Sequence, residues 1–245
     1  MARVGKSTAV MATRRSAATS LNLFPTPPWA TRSLVADVLV PVLAVLDPLF
    51  QSVWEPACGA GHMALPLHGL FRRVFSSDVA DWGFGDVRNL DFSMCTADDA
   101  PWSVDWIITN PPFTIAETFA RRGLAIARRG VALLCRLQWL EGEERYFDFY
   151  REGAPYRPTL VAVFAERVPM IEGAWDPEAS SATSYAWIIW IPGSPALGPT
   201  IPTFHIPPGA ERRHTRPGDM ALATPGESKR RLAAKKERER ADGRL

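Results

Sequence analysis

Asp105-Trp106-Ile107-Ile108-Thr109-Asn110-Pro111-Pro112-Phe113 is the stretch on which the fold turns. The apolar run from Trp106 to Ile108 reads as a buried strand, and Asn-Pro-Pro stops it abruptly. Neither proline can donate to a sheet ladder, so their carbonyls are left facing outward at the strand's C-terminal end. An amide, two rigid carbonyls and an aromatic ring then meet at one rim. That set suits a flat molecule carrying an amine. The same residues also describe a strand that simply ends in a Pro-Pro loop. The surrounding chain decides between the two.

Working upstream, residues 52–54 form a short strand that ends in Glu55, followed by Pro56-Ala57-Cys58-Gly59-Ala60-Gly61-His62 and a helix over 63–70. Glycines here permit positive φ and let a ligand approach the backbone closely. The acid before the loop places a carboxylate where it could accept from an ammonium or water. A second strand, 73–77, ends at Asp78, near the spacing at which such an acid bonds ribose hydroxyls. Asp91-Phe92 pairs an acceptor with a ring, a combination that suits an adenine. Earlier still, Phe24-Pro25-Thr26-Pro27-Pro28-Trp29-Ala30-Thr31 is a rigid turn leading into a helix over 31–46, whose free N–H groups could hold a carboxylate.

Downstream come a helix over 115–129, a strand over 131–135, a charged and aromatic helix or lid over 143–150, and strands over 159–164 and 184–191. A loop spans 171–184, and Pro-rich irregular chain runs from 192 to 208. Strands alternating with helices describe an open α/β sheet, mostly parallel, with helices on both faces. Ligands on such sheets sit beyond the carboxyl ends of the strands. Glu55, Asp78, Asp91 and Asn110 are all expected at such ends.

The 245 residues suffice for one substantial core, and the 47% hydrophobic share is that of an ordinary globular chain. Three scattered cysteines, Cys58, Cys95 and Cys135, make neither a disulfide framework nor a metal cluster with the histidines, so a reducing, cytoplasmic setting is expected and no metal. No apolar run approaches the roughly 18 residues of a membrane span. The net charge of +2 hides an asymmetry: residues 1–20 hold four basic and no acidic residues, and 211–245 hold eleven basic and six acidic ones. The expected organisation is a basic tail over 1–20, one domain over 21–208, and a basic, partly helical or disordered tail over 209–245. Basic ends on an acidic body fit a nucleic-acid partner, and equally two solvated tails.

Taken together, these stretches resemble the S-adenosylmethionine-dependent amino-methyltransferases that modify adenine N6 in DNA. The resemblance spans residues 24 to about 193. It rests on Asn110-Pro111-Pro112-Phe113, on Glu55 to Gly61, on Thr26-Pro27-Pro28, and on their order. Arg136-Leu137-Gln138-Trp139-Leu140-Glu141-Gly142 and Tyr185-Ala186-Trp187 are similar to elements of small phage and prophage members. Unlike the larger restriction-associated enzymes, this chain has no room for a full recognition domain. The resemblance implies a Rossmann-like methyltransferase fold with S-adenosylmethionine as cofactor. It places Thr26 and the adjoining Pro27 at the methionine carboxylate, with Glu55, Ala57, Gly59 and Gly61 shaping the pocket. Asp78 would hold the ribose, and Asp91 and Phe92 the cofactor's adenine. Asn110 and the Pro111 carbonyl would bind the target amine, with Pro112 stiffening the turn and Phe113 stacking on the base. The acceptor remains open among DNA adenine, RNA adenine, cytosine N4 and a protein glutamine amide; a module without activity is the reading from another class.

Overall fold

Strands that are apolar along their whole length need cover on both faces. The computed structural model describes residues 23–194 and 200–241, so the expected 1–20 tail lies outside the described residues. Eight strands form one sheet: β1 (Ser52–Glu55), β2 (Arg73–Asp78), β3 (Val87–Arg88), β4 (Trp106–Thr109), β5 (Gly130–Arg136), β6 (Leu160–Phe164), β7 (Tyr185–Trp190) and β8 (Thr203–Ile206). Their order is β3-β2-β1-β4-β5-β7-β6-β8. Strand β7 runs antiparallel to β5 and β6, and every other pairing among the described residues is parallel. The chain thus adopts the expected α/β architecture, a mostly parallel Rossmann-like sheet. Its winding reverses between β1 and β4, which opens a crevice at their carboxyl ends.

The helices are α1 (Pro28–Ser33), α2 (Ala64–His68), α3 (Ala116–Ile126), α4 (Glu143–Arg145), α5 (Ala210–His214) and α6 (Glu227–Ala241). Successive strand residues point to opposite faces. Val53, Trp106, Ile108, Ala132 and Leu134 therefore share one core with Trp29 of α1, Leu67 of α2 and Ala210 of α5. Trp54, Ile107, Val131 and Leu133 share the other with Phe119 and Ala120 of α3. Both faces of the sheet are thus covered, which is why these strands read as unbroken apolar runs.

Three local expectations are corrected and a fourth is made specific. The helix expected over 31–46 starts earlier, at Pro28, passes into a π-helical turn at Leu34–Leu39 and stops. Pro41 has no N–H to continue it, and Ala44 adopts a positive φ of 52°. The Pro-rich stretch after 192 contains β8, an edge strand parallel to β6 and flanked by Pro202 and Pro207, positions where proline costs no ladder bond. The helix or lid expected over 143–150 is helical: α4 is followed by a π-helical turn, Tyr146–Tyr150, and the two are pinned to α3 by Arg145–Glu117 and Arg121–Asp148 ion pairs. Asp91 ends no strand; it follows the two-residue β3 after a turn and caps the backbone N–H of Ser93.

The largest correction concerns the chain after 208, expected to be a tail. Ala210 is fully buried, and α5 packs on α1. The Arg32 guanidinium donates two bonds of 2.7 Å to the Asp219 carboxylate, an ion pair whose two side chains are only 10% and 5% exposed. Composition cannot reveal this, because a single acid in a basic run looks solvated until its partner, 187 residues earlier, is placed beside it. Further on, Asp176 accepts from the backbone N–H groups of Gly226 and Ser228 and from the Ser228 hydroxyl. Burial alone would raise that carboxyl; the Ser228 bonds outweigh it and bring it down to about 2. Beyond this anchor α6 buries no residue, as its charge pattern implies.

Candidate active site

The crevice is a cleft of about 780 Å³. Its walls come from the loops after β1, β2, β3 and β4 and from the turn before α1. Thr26, Glu55, Ala57, Asp78, Asp91, Phe92, Asn110, Pro111, Pro112 and Phe113 all line it, so ten of the sequence-predicted residues converge on one space. Gly59 and Gly61 do not line it themselves but alternate with Cys58, Ala60 and His62, which do. Both have positive φ, 51° and 86°, and a Cβ on Gly61 would lie 2.7 Å from the Phe84 ring. The backbone of this loop is thus conformationally reserved for glycine. Pro27 is the residue before α1 and does not line the cleft.

Asp78 holds the glycine loop to β2. Its carboxylate accepts from the N–H of Gly59 (2.9 Å), the N–H of Ala80 (2.9 Å) and the indole N–H of Trp82 (3.1 Å). Glu55, 2% exposed at the end of β1, stands at the other side of the loop. Burial pushes its carboxyl well above the usual range, the Asp78 charge adds to this, and a bond from the Ala64 N–H only partly opposes it. Its Oε2 has no hydrogen-bond partner.

Asn110 follows β4 directly. Its amide nitrogen donates to the Phe24 carbonyl (3.0 Å) and to the Thr26 hydroxyl (3.1 Å), and lies 3.6 Å from the Met170 sulfur. With both N–H bonds committed, the side-chain orientation is fixed, and the amide oxygen has no partner among the described residues. The Thr26 hydroxyl is itself engaged, accepting from Asn110 and facing the Met170 sulfur at 3.9 Å. Phe24 and Met170 are functional neighbours that sequence reasoning missed. Their contacts are a backbone carbonyl and a thioether, groups that no motif marks.

Phe113 lies 5.5 Å from Phe24 and 6.5 Å from Tyr185, ring to ring. The Arg136 guanidinium sits 3.8 Å over its centroid. Phe92 is fully enclosed, packed edge-on to Trp54 and 4.9 Å from Phe119, so it forms the floor of its end of the cleft. Asp91 remains exposed at the same end. One more cleft residue, His62, had been read only as part of the glycine-loop unit. Its Nε2 meets the Leu222 carbonyl at 3.0 Å, while its Nδ1 has no partner. Chemically, then, the cleft offers unpaired acceptors to a ligand rich in N–H donors, beside apolar and aromatic walls.

No family model and no curated protein matches the sequence. Among solved structures the chain is similar to the modification subunit assigned to a type I restriction enzyme of Vibrio vulnificus YJ016, at 13% identity and a TM-score of 0.47, over 84% of this chain and 53% of that one. It is similar to the methyltransferase subunit of a type I restriction-modification system from Streptococcus thermophilus, at 12% identity and a TM-score of 0.47, over 69% of this chain and 44% of that one. A dimethyladenosine transferase from Plasmodium falciparum gives 12% identity and a TM-score of 0.42, over 69% and 63% of the two chains. The chain thus spans about half the length of the first two, and with scores below 0.5 the fold is read from the sheet itself.

Proposed function

We propose that this chain transfers a methyl group from S-adenosylmethionine to an exocyclic amine, adenine N6 in DNA. The observation that carries the reading is Asn110. Its amide is locked through nitrogen and left unpaired through oxygen, in a wall of the cleft lined by Pro111, Pro112 and Phe113. An aromatic amine is a poor nucleophile because its lone pair is delocalised into the ring. A fixed acceptor on its N–H, together with the Pro111 carbonyl, favours a pyramidal nitrogen aimed at the sulfonium methyl. Positioning and electrostatic preorganisation supply the acceleration, and no strong base is needed before attack. A duplex substrate has to surrender the base from its stack, and Phe113 replaces the lost stacking. On the cofactor side, Asp78 stands at the ribose, Asp91 and Phe92 at the adenine, and Glu55 at the methionine end.

The test is incubation with radiolabelled S-adenosylmethionine and unmethylated DNA, RNA or protein, followed by nucleoside and amino-acid analysis. Label recovered as N6-methyldeoxyadenosine is expected. Label in N6-methyladenosine from RNA, in N4-methylcytosine or in glutamine moves the assignment to that acceptor.

Glu55 gives this site a pH signature. An acid whose proton is held tightly accepts from an ammonium only once ionised. Affinity for S-adenosylmethionine therefore rises with pH through the raised Glu55 value, until the ligand's own ammonium deprotonates near pH 8. Glu55→Gln should bind more weakly, with a profile that is flat from pH 6.5, above the lowered His62 titration, up to that point; a sloping profile over that range would remove Glu55 from the role.

The basic helix α6 is the proposed electrostatic grip on the polymer. Because Asp219 and Leu222 belong to the body, the informative truncation removes 229–245 and leaves them in place. DNA binding should weaken and the slope of log affinity against log salt should flatten, since fewer counterions are displaced. An unchanged slope means that α6 is only solvated.

A further inference from the structure

We propose that His62 is a cofactor-binding residue, accepting through Nδ1 from the ammonium of the methionine moiety, and that the C-terminal segment holding it by Leu222 is part of the cofactor site. This rests on the reading of the cleft as an S-adenosylmethionine site.

The tautomer follows from the partner. A backbone carbonyl can only accept, so the 3.0 Å contact to Leu222 requires the proton on Nε2. Neutral imidazole then presents Nδ1 as a bare acceptor. Burial favours that neutral form by lowering the imidazole's proton affinity, and the Leu222 bond only partly opposes it. The side chain is nine-tenths buried and lines the cleft, and Nδ1 has no partner among the described residues. A buried acceptor left empty is destabilising, so an N–H donor arriving at it is bound more tightly.

The donor's chemistry is set by the neighbour. The Glu55 carboxylate accepts from the Ala64 N–H, two residues past His62, and its Oε2 is also unpartnered. Once Glu55 is ionised, its carboxylate and the neutral imidazole, which flank the glycine loop in sequence and both line the cleft, are two acceptors that match an ammonium, which has three donors and no acceptor. A hydroxyl or phosphate fits poorly, because the carboxylate repels the second and the pair offers the first no donor in return.

Leu222 is not a loose lid. Its segment is held by Arg32 at Asp219 and by the Trp175 carbonyl, which accepts from the Thr224 N–H at 2.7 Å. The ring's orientation in the cleft is thus set by residues 160 positions later.

Two substitutions separate the ring's two nitrogens. His62→Gln keeps a donor near the Nε2 position and loses the Nδ1 acceptor, whereas His62→Asn keeps an acceptor near Nδ1 and loses the reach to Leu222. Affinities of the full-length protein for S-adenosylhomocysteine and for 5′-methylthioadenosine, which lacks the amino-acid portion, are measured by calorimetry. His62→Gln should lose about tenfold to a hundredfold for S-adenosylhomocysteine with 5′-methylthioadenosine nearly unchanged, and His62→Asn should keep most of the first affinity. Equal losses on both ligands, no loss in His62→Gln, or a loss in His62→Asn as large as in His62→Gln overturns the proposal. Failure of the unsubstituted protein to bind either ligand overturns the underlying cofactor reading instead.

Discussion

Asn110→Ala abolishes methyl transfer in practice, lowering kcat by about a thousandfold, while S-adenosylmethionine binds within a fewfold of its original affinity. The asymmetry follows from where the side chain sits. Its nitrogen is spent on Phe24 and Thr26, neither of which is a strand-end cofactor group, and its oxygen faces no protein donor. Removing the amide takes away an interaction that matters most as the amine pyramidalises, and leaves Asp78, Gly59 and Gly61 undisturbed. A loss confined to kcat is the mark of an interaction made in the transition state. Asn110→Asp is the sharper companion: the acceptor remains, but the donor to Phe24 and Thr26 is gone, and a carboxylate is set against a carbonyl. Calorimetry alongside single-turnover kinetics checks both variants. An equal fall in cofactor affinity and turnover in Asn110→Ala would remove the residue from the target side of the cleft.

Asp219→Ala lowers stability by about 3 to 5 kcal/mol, roughly 10 °C in Tm for a chain of this size, because it leaves the Arg32 guanidinium buried without its counter-charge. The loss is larger than any surface ion pair could produce, and it falls on a residue that composition would place in a tail. Replacing both partners, Arg32→Met with Asp219→Leu, should recover most of it, since the desolvation cost of both charges disappears together. The pair also sets an acid limit. Burial by itself would raise the Asp219 carboxyl; bonds from Arg32 and from the Arg216 N–H more than offset it and hold it below the usual carboxylate range. Its contribution is therefore fully present above the unfolded value near pH 4 and is lost as pH falls through the lower folded value. Thermal melts between pH 7 and pH 3 should show the Asp219→Ala penalty shrinking at the acid end. A penalty that does not shrink, or a variant that melts with the parent, would count against the buried pair.

What could be read in the chain was what lies close together in it. Trp106 to Ile108 and the run from Gly130 to Arg136 are covered on both faces, so hydrophobicity alone marked them as strands. Glu55, Asp78 and Asn110 follow such strands directly and reached the rim as expected. Strand β8 was hidden because its prolines mimic a loop, and an edge position tolerates them. The partners that orient the site were hidden for another reason. Asn110 is aimed by Phe24, 86 residues earlier, and His62 by Leu222, 160 residues later. Both are contacts to backbone carbonyls, which every residue type offers, so no pattern in the sequence could single them out.

The bond between Arg32 and Asp219 has a consequence for how the molecule is made. Helix α1 and the turn carrying Thr26 are synthesised before the counter-charge that lets Arg32 be buried, which follows 187 residues later. Until then the guanidinium keeps that face of α1 hydrated. The face of α1 beside the cleft is thus completed by a long-range contact, whose loop-closure cost slows it. A nascent chain can therefore lay down β1 to β5 and their glycine loop while the cleft they frame is still open on one side.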